Sequence, residues 1–362
     1  MRRRPVIVAL IIVFLLLSAT LVLYSSITKP IILVIHSYDP DYAWCRDITV
    51  GAHRVLKKHP NYSVKWFYMD LKNHNDPAFR RKAGIQAREA VQRWQPNVLI
   101  LIDDDASELV GRHYVNNPKI NIVFAGLNGE YSPYGYDKAV NATGILEHKQ
   151  FQAMKETIET IEKTSKGHES INKSYNNGVA DRAGHVKIMY IADNSTSLAI
   201  DKIYIDQFDW RPFEYLGSYV ARDFEEWKKF VIDGNNRADY ILLANYRTLK
   251  RTNHAGYDEL VHPNEVVQWT NTNSKVPVIG LNLFNVEDGC MLSIGVSPFE
   301  QGEVAAAMAV DIIDKHISPR DIPIRLNKQF VVAMRHSMLT AKGIALPEVY
   351  EVFARSTDNY KN

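Results

Sequence analysis

The stretch IILVIHSYDPDYAWCRDITVGAHRVLKKHPNYSVKWFY, from Ile31 to Tyr68, contains one complete strand–helix–strand unit. Its first five residues are all apolar, which is typical of a strand that is buried on both faces. Apolar residues then recur at helical spacing between Asp47 and Lys58, and Val64–Tyr68 predicts a second strand. This order of elements favours a parallel sheet covered by helices.

The same rhythm continues along the chain and falls into two sets. The polar segment 164–185 separates them, since it holds three glycines and no apolar periodicity, and it predicts a loop. About 330 residues follow residue 30, which fits two domains of about 150 residues each. We therefore expect an α/β protein with two lobes, each a parallel sheet flanked by helices. The predicted strands are Ile31–Ile35, Val64–Tyr68, Asn97–Ile102, Ile120–Ala125, Thr143–Leu146, Val186–Ala192, Phe213–Val220, Tyr240–Asn245, Val276–Leu281, Met291–Val296 and Phe330–Met334.

The N-terminus predicts an export signal or a membrane anchor. Three arginines, Arg2–Arg4, precede an apolar run from Pro5 to about Tyr24. Positive charges stay on the cytoplasmic side, and a helix of this length spans a hydrocarbon core about 30 Å thick. Residues 1–28 are therefore expected to form one hydrophobic helix, with 6–24 as an uncleaved anchor or as part of a cleaved signal peptide. Either alternative places the remaining chain in the periplasm or on the extracytoplasmic face of the membrane.

Charge and cysteine content exclude several classes of protein. The formal net charge is only +2, although the three N-terminal arginines each contribute a positive charge. No Lys/Arg run marks a basic face. Nucleic acid is therefore not expected as a partner. Two cysteines cannot form a disulfide scaffold. The sequence leaves open whether Cys45 and Cys290 form a single bridge or remain two buried thiols.

Signatures of catalysis are missing from the sequence. It contains no G-x-S-x-G, H-E-x-x-H or C-x-x-C pattern, and no P-loop. His36, Ser37 and Asp39 lie on one short loop, where adjacent residues cannot form a chain of nucleophile, base and orienting acid. We therefore expect neither an enzyme nor a bound cofactor or metal.

Polar and aromatic residues follow the predicted strands. In open α/β sheets, ligands bind beyond the carboxyl ends of the strands. Aromatic, hydroxyl and amide side chains there supply the apolar walls and the few placed polar groups that small-ligand pockets need. A structural explanation exists for several of them, because Ser195 or Asn194 is suited to cap a helix and Tyr42 and Trp44 to pack a loop. The segments concerned are 36–44, 103–107, 126–128, 193–196, 245–248 and 282–284.

The triplet Asp103-Asp104-Asp105 permits more than one interpretation. Three carboxylates suggest a divalent cation or a ligand amine. Consecutive residues cannot all face one point, however. The favoured interpretation places one carboxylate at the ligand, one at the start of the helix that holds Ser107, and one in solvent.

Two stretches resemble a known family. The run from Leu33 to Trp44, LVIHSYDPDYAW, resembles the opening of ABC-transporter substrate-binding proteins of the tryptophan/tyrosine type, and of related sensor domains of bacterial histidine kinases. The tail resembles the same family, with GVSPFEQG from Gly295 to Gly302 and TAKGIALP from Thr340 to Pro347. The likeness extends over about 31–347.

The resemblance implies a type I periplasmic-binding-protein fold with a ligand between two lobes. It places residues 31–145 plus 290–318 in the N-terminal lobe and 146–289 plus 319–350 in the C-terminal lobe, with 351–362 as a tail. It also implies which residues bind the ligand. Trp44 and Phe284 are added to them because aromatic rings at strand ends can form the apolar wall of a pocket. The expected ligand-binding residues are Ser37, Tyr38, Trp44, Asp105, Ser107, Asn128, Asn194, Ser195, Thr196, Asn245, Asn282 and Phe284.

The resemblance thus predicts a solute-binding protein whose lobes close over a small organic ligand and which serves a membrane permease. Aromatic residues at the strand ends, Tyr38, Trp44, Tyr246 and Phe284, favour an aromatic amino acid or another flat solute. The alternative is a membrane-tethered sensory or adaptor protein that signals to a partner membrane protein. The N-terminal helix favours this alternative if it is retained.

Overall fold

A computed structural model describes residues 11–18, 20, 29–74, 76–172, 186–252, 256 and 258–362, with the side chains of 165–172 and 196–200 left aside. The described strands form two large sheets and one small hairpin. The strands are β1 Ile31–His36, β2 Ser63–Tyr68, β3 Val98–Ile102, β4 Asn121–Leu127, β5 Ala142–Leu146, β6 Lys187–Asp193, β7 Glu214–Ala221, β8 Tyr240–Leu243, β9 Lys250–Thr252, β10 Asp258–Leu260, β11 Val278–Gly280, β12 Leu292–Val296, β13 Arg325–Leu326, β14 Phe330–Arg335 and β15 Tyr360–Lys361.

Helices connect most consecutive strands, and short 3-10 turns occur at Gly111–Tyr114, Ser132–Tyr134 and Pro319–Asp321. Residues 11–18 are also helical. The α-helices are α1 Ala43–Leu56, α2 Pro77–Trp94, α3 Asp103–Leu109, α4 Phe151–Asn172, α5 Thr196–Gln207, α6 Phe224–Arg237, α7 Pro263–Asn273, α8 Phe284–Glu287, α9 Pro298–Asp314, α10 His336–Ala341 and α11 Glu348–Ser356.

Unit 1 comprises Met1–Leu146 and Pro298–Arg325. Its sheet has the strand order β13-β5-β4-β3-β1-β2, and β1 to β5 run parallel. Strands β1 and β3 are buried almost throughout, which agrees with their continuous apolar sequences. Helices α1 and α9 pack so closely that a Cβ on Gly302 would lie only 2.0 Å from the carbonyl oxygen of Ile48.

Unit 2 comprises Glu147–Ser297 and Leu326–Asn362. Its sheet has the order β15-β14-β12-β11-β8-β6-β7. The central strands pair in parallel, whereas β14 runs antiparallel to β12. Strand β14 therefore departs from the parallel pairing of the central strands in this sheet. The reason is that β14 follows β12 through unit 1 and returns to the same edge in the opposite direction.

The boundaries between the units differ from the expected ones at two places. Residues 290–297 lie in unit 2, although the resemblance placed them in the first lobe. Strand β12 explains the difference, since it pairs with β11 and β14 in the sheet of unit 2. Residues 319–325 lie in unit 1 rather than in the second lobe.

The predicted loop 164–185 and the predicted anchor 6–24 both lie partly outside the described residues. Helix α4 continues to Asn172, so the first part of the predicted loop 164–185 is helical, while 173–185 lie outside the described residues. Most of the predicted anchor 6–24 lies outside them as well. Within the residues that are described, no helix combines the length and the apolar character needed to cross a bilayer.

The two cysteines are buried and free. Cys45 lies in α1 of unit 1, and Cys290 precedes β12 in unit 2. Burial raises the pKa of both thiols, with a further contribution from Asp103 at Cys45 and from Asp288 at Cys290. Of the two alternatives that the sequence left open, the structure thus shows two buried thiols.

Candidate ligand-binding site

Ser37 follows β1 and is fully buried. Its hydroxyl donates to the carbonyl oxygen of Ile102 at 2.7 Å and accepts from the backbone N–H of Ala106 at 2.9 Å. These bonds join the end of β1 to the end of β3 and to the first turn of α3. The predicted ligand residue Ser37 therefore has a structural role at this edge of the sheet.

Tyr38 and Trp44 lie partly buried at the same edge. The Tyr38 ring meets Tyr42 edge-on, with 5.6 Å between the ring centroids. Burial raises the pKa of the Tyr38 hydroxyl, and the nearby aspartates add to the effect. Trp44 lies in the first turn of α1, and its Nε1 donates to Asp103 Oδ1 at 2.9 Å. Both rings thus flank the aspartate triplet.

The three aspartates of α3 each have a different partner. Asp103 is buried and accepts from Trp44, with a left-handed backbone φ of 71°. Asp104 accepts from the Tyr134 hydroxyl at 2.7 Å and from Asn128 Nδ2 at 3.0 Å. Asp105 forms an ion pair with Arg80 at 2.7 Å. The expected solvated aspartate and the expected capping aspartate are therefore not seen, because every carboxylate is engaged.

Ser107 does not reach the edge with the others. It is fully buried in the interior of unit 1, against the Tyr136 hydroxyl. Burial raises the pKa of Tyr136, and Ser107 lowers it in part.

Among the described residues, no cluster of three or more His, Cys, Asp or Glu side chains could hold a metal ion.

The turn after β6 in unit 2 is organised by Asp193. This residue is fully buried. Its Oδ1 accepts from the hydroxyl of Ser195 at 2.6 Å and its Oδ2 from the backbone N–H of Thr248 at 2.9 Å. Ser195 occupies the N-cap position of α5 without a side-chain cap bond. Asn194 is exposed, and the side chain of Thr196 lies outside the described residues.

Asn245 follows β8 and joins this turn, since its Nδ2 donates to Ser195 Oγ at 3.3 Å. The next residue, Tyr246, was predicted as an aromatic wall but is fully buried beneath the edge. Its hydroxyl donates to Asp288 at 2.8 Å, as does the Arg247 guanidinium at 2.8 Å. Arg247 lies over the Phe284 ring at 4.4 Å, so the predicted wall Phe284 carries a cation on one face.

Asn282 follows β11 and contacts a residue that the sequence did not reveal. Its Oδ1 accepts from Lys149 Nζ at 2.6 Å. Only 8% of the Lys149 side chain is exposed, and Glu147 lies 3.4 Å from its Nζ. Burial alone lowers the pKa of Lys149, but the carboxylates of Asp201 and Glu147 outweigh it, so the pKa is raised. Lys149 is therefore protonated.

Three residues that support these edges were not among the predicted ligand-binding residues, although Asp104 and Asp193 lie in segments that the sequence singled out. Asp104, Asp193 and Lys149 position the predicted residues Asn128, Ser195 and Asn282. For Asp193 a signal existed, because a carboxylate that ends an apolar strand has to be satisfied by the following turn. For Lys149 none existed, since it lies far from Asn282 in sequence.

Known proteins are similar to this chain in two ways: a family model matches one segment, and solved structures share its fold. Residues 258–358 match the family model of ABC transporter substrate binding proteins. This range includes both tail motifs of the resemblance, whereas the opening run from Leu33 to Trp44 lies outside it. No curated protein matches the chain.

Three solved structures are similar to the chain over almost its full length. A conserved domain protein from Vibrio cholerae has 14% identity and a TM-score of 0.56, covering 92% of this chain and 100% of that chain. A ligand-free, open substrate binding protein with adhesive properties from Clostridium difficile has 14% identity and a TM-score of 0.59, covering 92% and 98%.

The third is the ABC domain in complex with L-Trp from Streptococcus pneumonia, with 14% identity and a TM-score of 0.54, covering 89% of this chain and 98% of that chain. The fold is that of type I periplasmic binding proteins. The predicted α/β fold with helix-flanked parallel sheets is thus confirmed. At this level of identity the likeness shows the fold alone.

Proposed function

We propose that this type I periplasmic-binding-protein fold serves an extracytoplasmic solute-binding protein that delivers a small organic ligand to a membrane permease. The observation that carries the proposal is the chemistry of the two strand-end edges. Each unit places amides and aromatic rings there, and charged side chains hold the amides: the half-buried Asp104 holds Asn128, and Lys149 holds Asn282. Such edges suit ligand binding in open α/β sheets. The family match over residues 258–358 supports the same function.

The ligand class that we favour is an aromatic amino acid. Tyr38, Trp44 and Phe284 are partly exposed rings at the two edges. The similar structure from Streptococcus pneumonia was solved with L-Trp, which makes tryptophan the first solute to test. Of the aromatic residues that the sequence proposed as walls, Tyr246 no longer counts, because it is fully buried.

A thermal-shift and fluorescence titration tests the proposal. The protein is unfolded, stripped of bound solutes by dialysis and refolded, and then titrated with amino acids, purines and sugars. A ligand that binds the folded state only raises the melting temperature in a concentration-dependent way. We expect the largest shift with an aromatic amino acid. No shift with any solute of the panel contradicts the proposed function, and a shift with sugars alone contradicts the ligand class.

A membrane-tethered sensory or adaptor protein is the second candidate. The apolar run after Arg2–Arg4 favours it, if the run stays attached to the exported chain. Mass spectrometry of the mature N-terminus in membrane and soluble fractions separates the two candidates. Retention of Arg2 in the membrane fraction supports tethering, and a soluble chain that begins near Ser25 supports a free carrier.

A further inference from the structure

Among the described strands, the two large sheets have four edge strands, and three of these are poorly suited to pair with another chain. Strands β13 and β15 are only two residues long. Strand β7 is longer, but its register with β6 shifts between Ile188 and Tyr190, and Gly217 within it has a left-handed φ of 104°. Short strands and bulges of this kind keep proteins from pairing edge to edge.

Strand β2, SVKWFY from Ser63 to Tyr68, is the exception. It lies at the edge of the sheet of unit 1 and pairs with β1 over its full length without a shift in register. It contains neither proline nor glycine, its one charged residue is Lys65, and all of its residues are half-buried. A long, flat and largely apolar edge is a template for a further strand.

The backbone of β2 offers alternate residues to such a strand. The N–H of Ser63 donates to the carbonyl oxygen of Pro30 at 2.8 Å, on the side of β1. In a parallel pair, alternate residues of a strand bond to the neighbouring strand, and the residues between them face the other way. The N–H and C=O groups of Val64, Trp66 and Tyr68 therefore point away from β1, and within the described part of the chain no hydrogen bond reaches them.

The side chains of this edge are held in place by unit 1 itself. The ring of Trp66 lies 5.1 Å from that of His53, and the ring of Tyr68 lies 4.8 Å from that of His36, measured between centroids. Trp66 and Val64 also pack against the apolar core that includes residues of α1 and α9. Rings that are fixed before association lose little conformational entropy when a partner packs on them.

A second copy of β2 fits this edge in one antiparallel register. When Trp66 lies opposite Trp66 of the second copy, Val64 lies opposite Tyr68, and each of these pairs exchanges two hydrogen bonds. Aromatic and β-branched residues in opposite positions stabilise a sheet. Lys65 then lies opposite Phe67. A register centred on Lys65 would instead place two like charges opposite each other, and one centred on Phe67 would leave Val64 unpaired.

We propose that β2 is a homodimer interface, in which two copies of unit 1 join their sheets through antiparallel β2 strands related by a two-fold axis at Trp66. A two-fold interface uses the same surface of both chains, and the register centred on Trp66 does so. The interface lies wholly within unit 1. The inference goes beyond the proposed function, since it does not depend on which solute binds.

Cysteine trapping tests the register. In a hydrogen-bonded antiparallel pair the Cα atoms are about 5.5 Å apart, which a disulfide can bridge. Trp66→Cys should therefore form a covalent dimer when the full chain is oxidised with copper phenanthroline. Lys65→Cys is the matched control, because the two cysteines would be offset by two residues along the strands, at about 8 Å, and should not cross-link. The native Cys45 and Cys290 are buried and should give no background.

Sedimentation equilibrium of the full chain in density-matched detergent tests the dimer without a cross-link. The wild type should show a monomer–dimer equilibrium. Trp66→Lys places two ammonium groups opposite each other and should weaken dimerisation at least about tenfold. A mixture of Trp66→Lys and Trp66→Glu should restore the dimer, because opposite charges then meet at the two-fold axis. Leu216→Lys, on the bulged edge β7, is the control and should leave the equilibrium unchanged.

Several outcomes would overturn the inference. These are a wild type that stays monomeric at every concentration, a dimer that a correctly folded Trp66→Lys protein retains, and equal cross-linking of the two cysteine variants. If circular dichroism shows that the Trp66 variants do not fold, Val64→Cys mixed with Tyr68→Cys takes their place, since these residues lie opposite each other. Absence of a disulfide between those two proteins would then overturn the inference. None of these results bears on solute binding, which the thermal-shift titration tests separately.

Discussion

Asp193 accepts two hydrogen bonds from Ser195, one from the backbone N–H at 3.2 Å and one from the hydroxyl at 2.6 Å. The same fully buried carboxylate accepts from the backbone N–H of Thr248 at 2.9 Å. One carboxylate thus holds the turns that follow β6 and β8, two neighbouring strands of unit 2.

Asp193→Asn should destabilise unit 2 in the absence of any ligand. An amide cannot accept on both sides, so one of the turns loses its bond to a charged group, at a cost of about 2–3 kcal/mol. Hydrogen exchange followed by mass spectrometry should show faster exchange at Thr248 or Ser195. Ser195→Ala is the matched control, which removes the hydroxyl that donates to Asp193 and accepts from Asn245 but leaves the bond from Asp193 to Thr248, and it should cost about 1 kcal/mol. Unchanged exchange in Asp193→Asn would contradict this role.

Asp104→Asn should destabilise unit 1 more than Asp105→Asn does. The Asp104 carboxylate accepts from Asn128 and from Tyr134, and the substitution leaves part of these donors unpaired, at about 2 kcal/mol. Asp105 pairs with Arg80 in a partly exposed ion pair, which contributes about 1 kcal/mol or less. Urea denaturation of both variants measures the difference, and equal midpoints would disprove the assignment.

Acid should weaken the protein through His36. This residue is fully buried and stacked on Tyr68 at 4.8 Å, and burial lowers its pKa from 6.5 to about 3. Because the pKa is lower in the folded state, the unfolded chain binds the extra proton first. Stability is complete above pH 6.5 and is lost as the pH falls towards 3, by about 2 kcal/mol at pH 5.

The variant His36→Gln tests this pH dependence. Thr49 donates its hydroxyl proton to the carbonyl oxygen of Cys45, so it accepts from His36 Nε2, and a glutamine amide offers the same donor. Urea midpoints between pH 7 and pH 5 should fall less in this variant than in the wild type. Parallel curves for the two proteins would assign the acid sensitivity to other groups.

Gly302→Ala should disrupt the packing of α9 on α1. A Cβ there would lie 2.0 Å from the carbonyl oxygen of Ile48 and 2.7 Å from the nitrogen of Ala52, and backbone atoms cannot yield as a side chain does. We expect a loss of about 3 kcal/mol or more. The control is Glu303→Ala, in the same helix as Gly302. It removes a partly exposed ion pair with Arg54 of α1 and should cost no more than about 1 kcal/mol. Similar thermal midpoints for the two variants would refute the prediction.

The sequence by itself determined the longer strands of both units, although it did not reveal the short strands β9, β10, β13 and β15. Continuous apolar runs such as Ile31–Ile35 are buried wherever they occur in a parallel sheet, so local pattern and burial agree. The same logic placed Asn128, Asn245 and Asn282 at strand ends, where the structure has them.

Only the tertiary structure decided what those residues face. Ser107 is buried beside Tyr136, and Tyr246 lies beneath Phe284, although both follow strands in sequence. The charged supports Lys149 and Asp104 lie 133 and 24 residues from the amides that they orient. Periodicity reports which face of an element is buried, but a hydrogen bond between distant loops depends on how the chain folds back, and no local pattern encodes that.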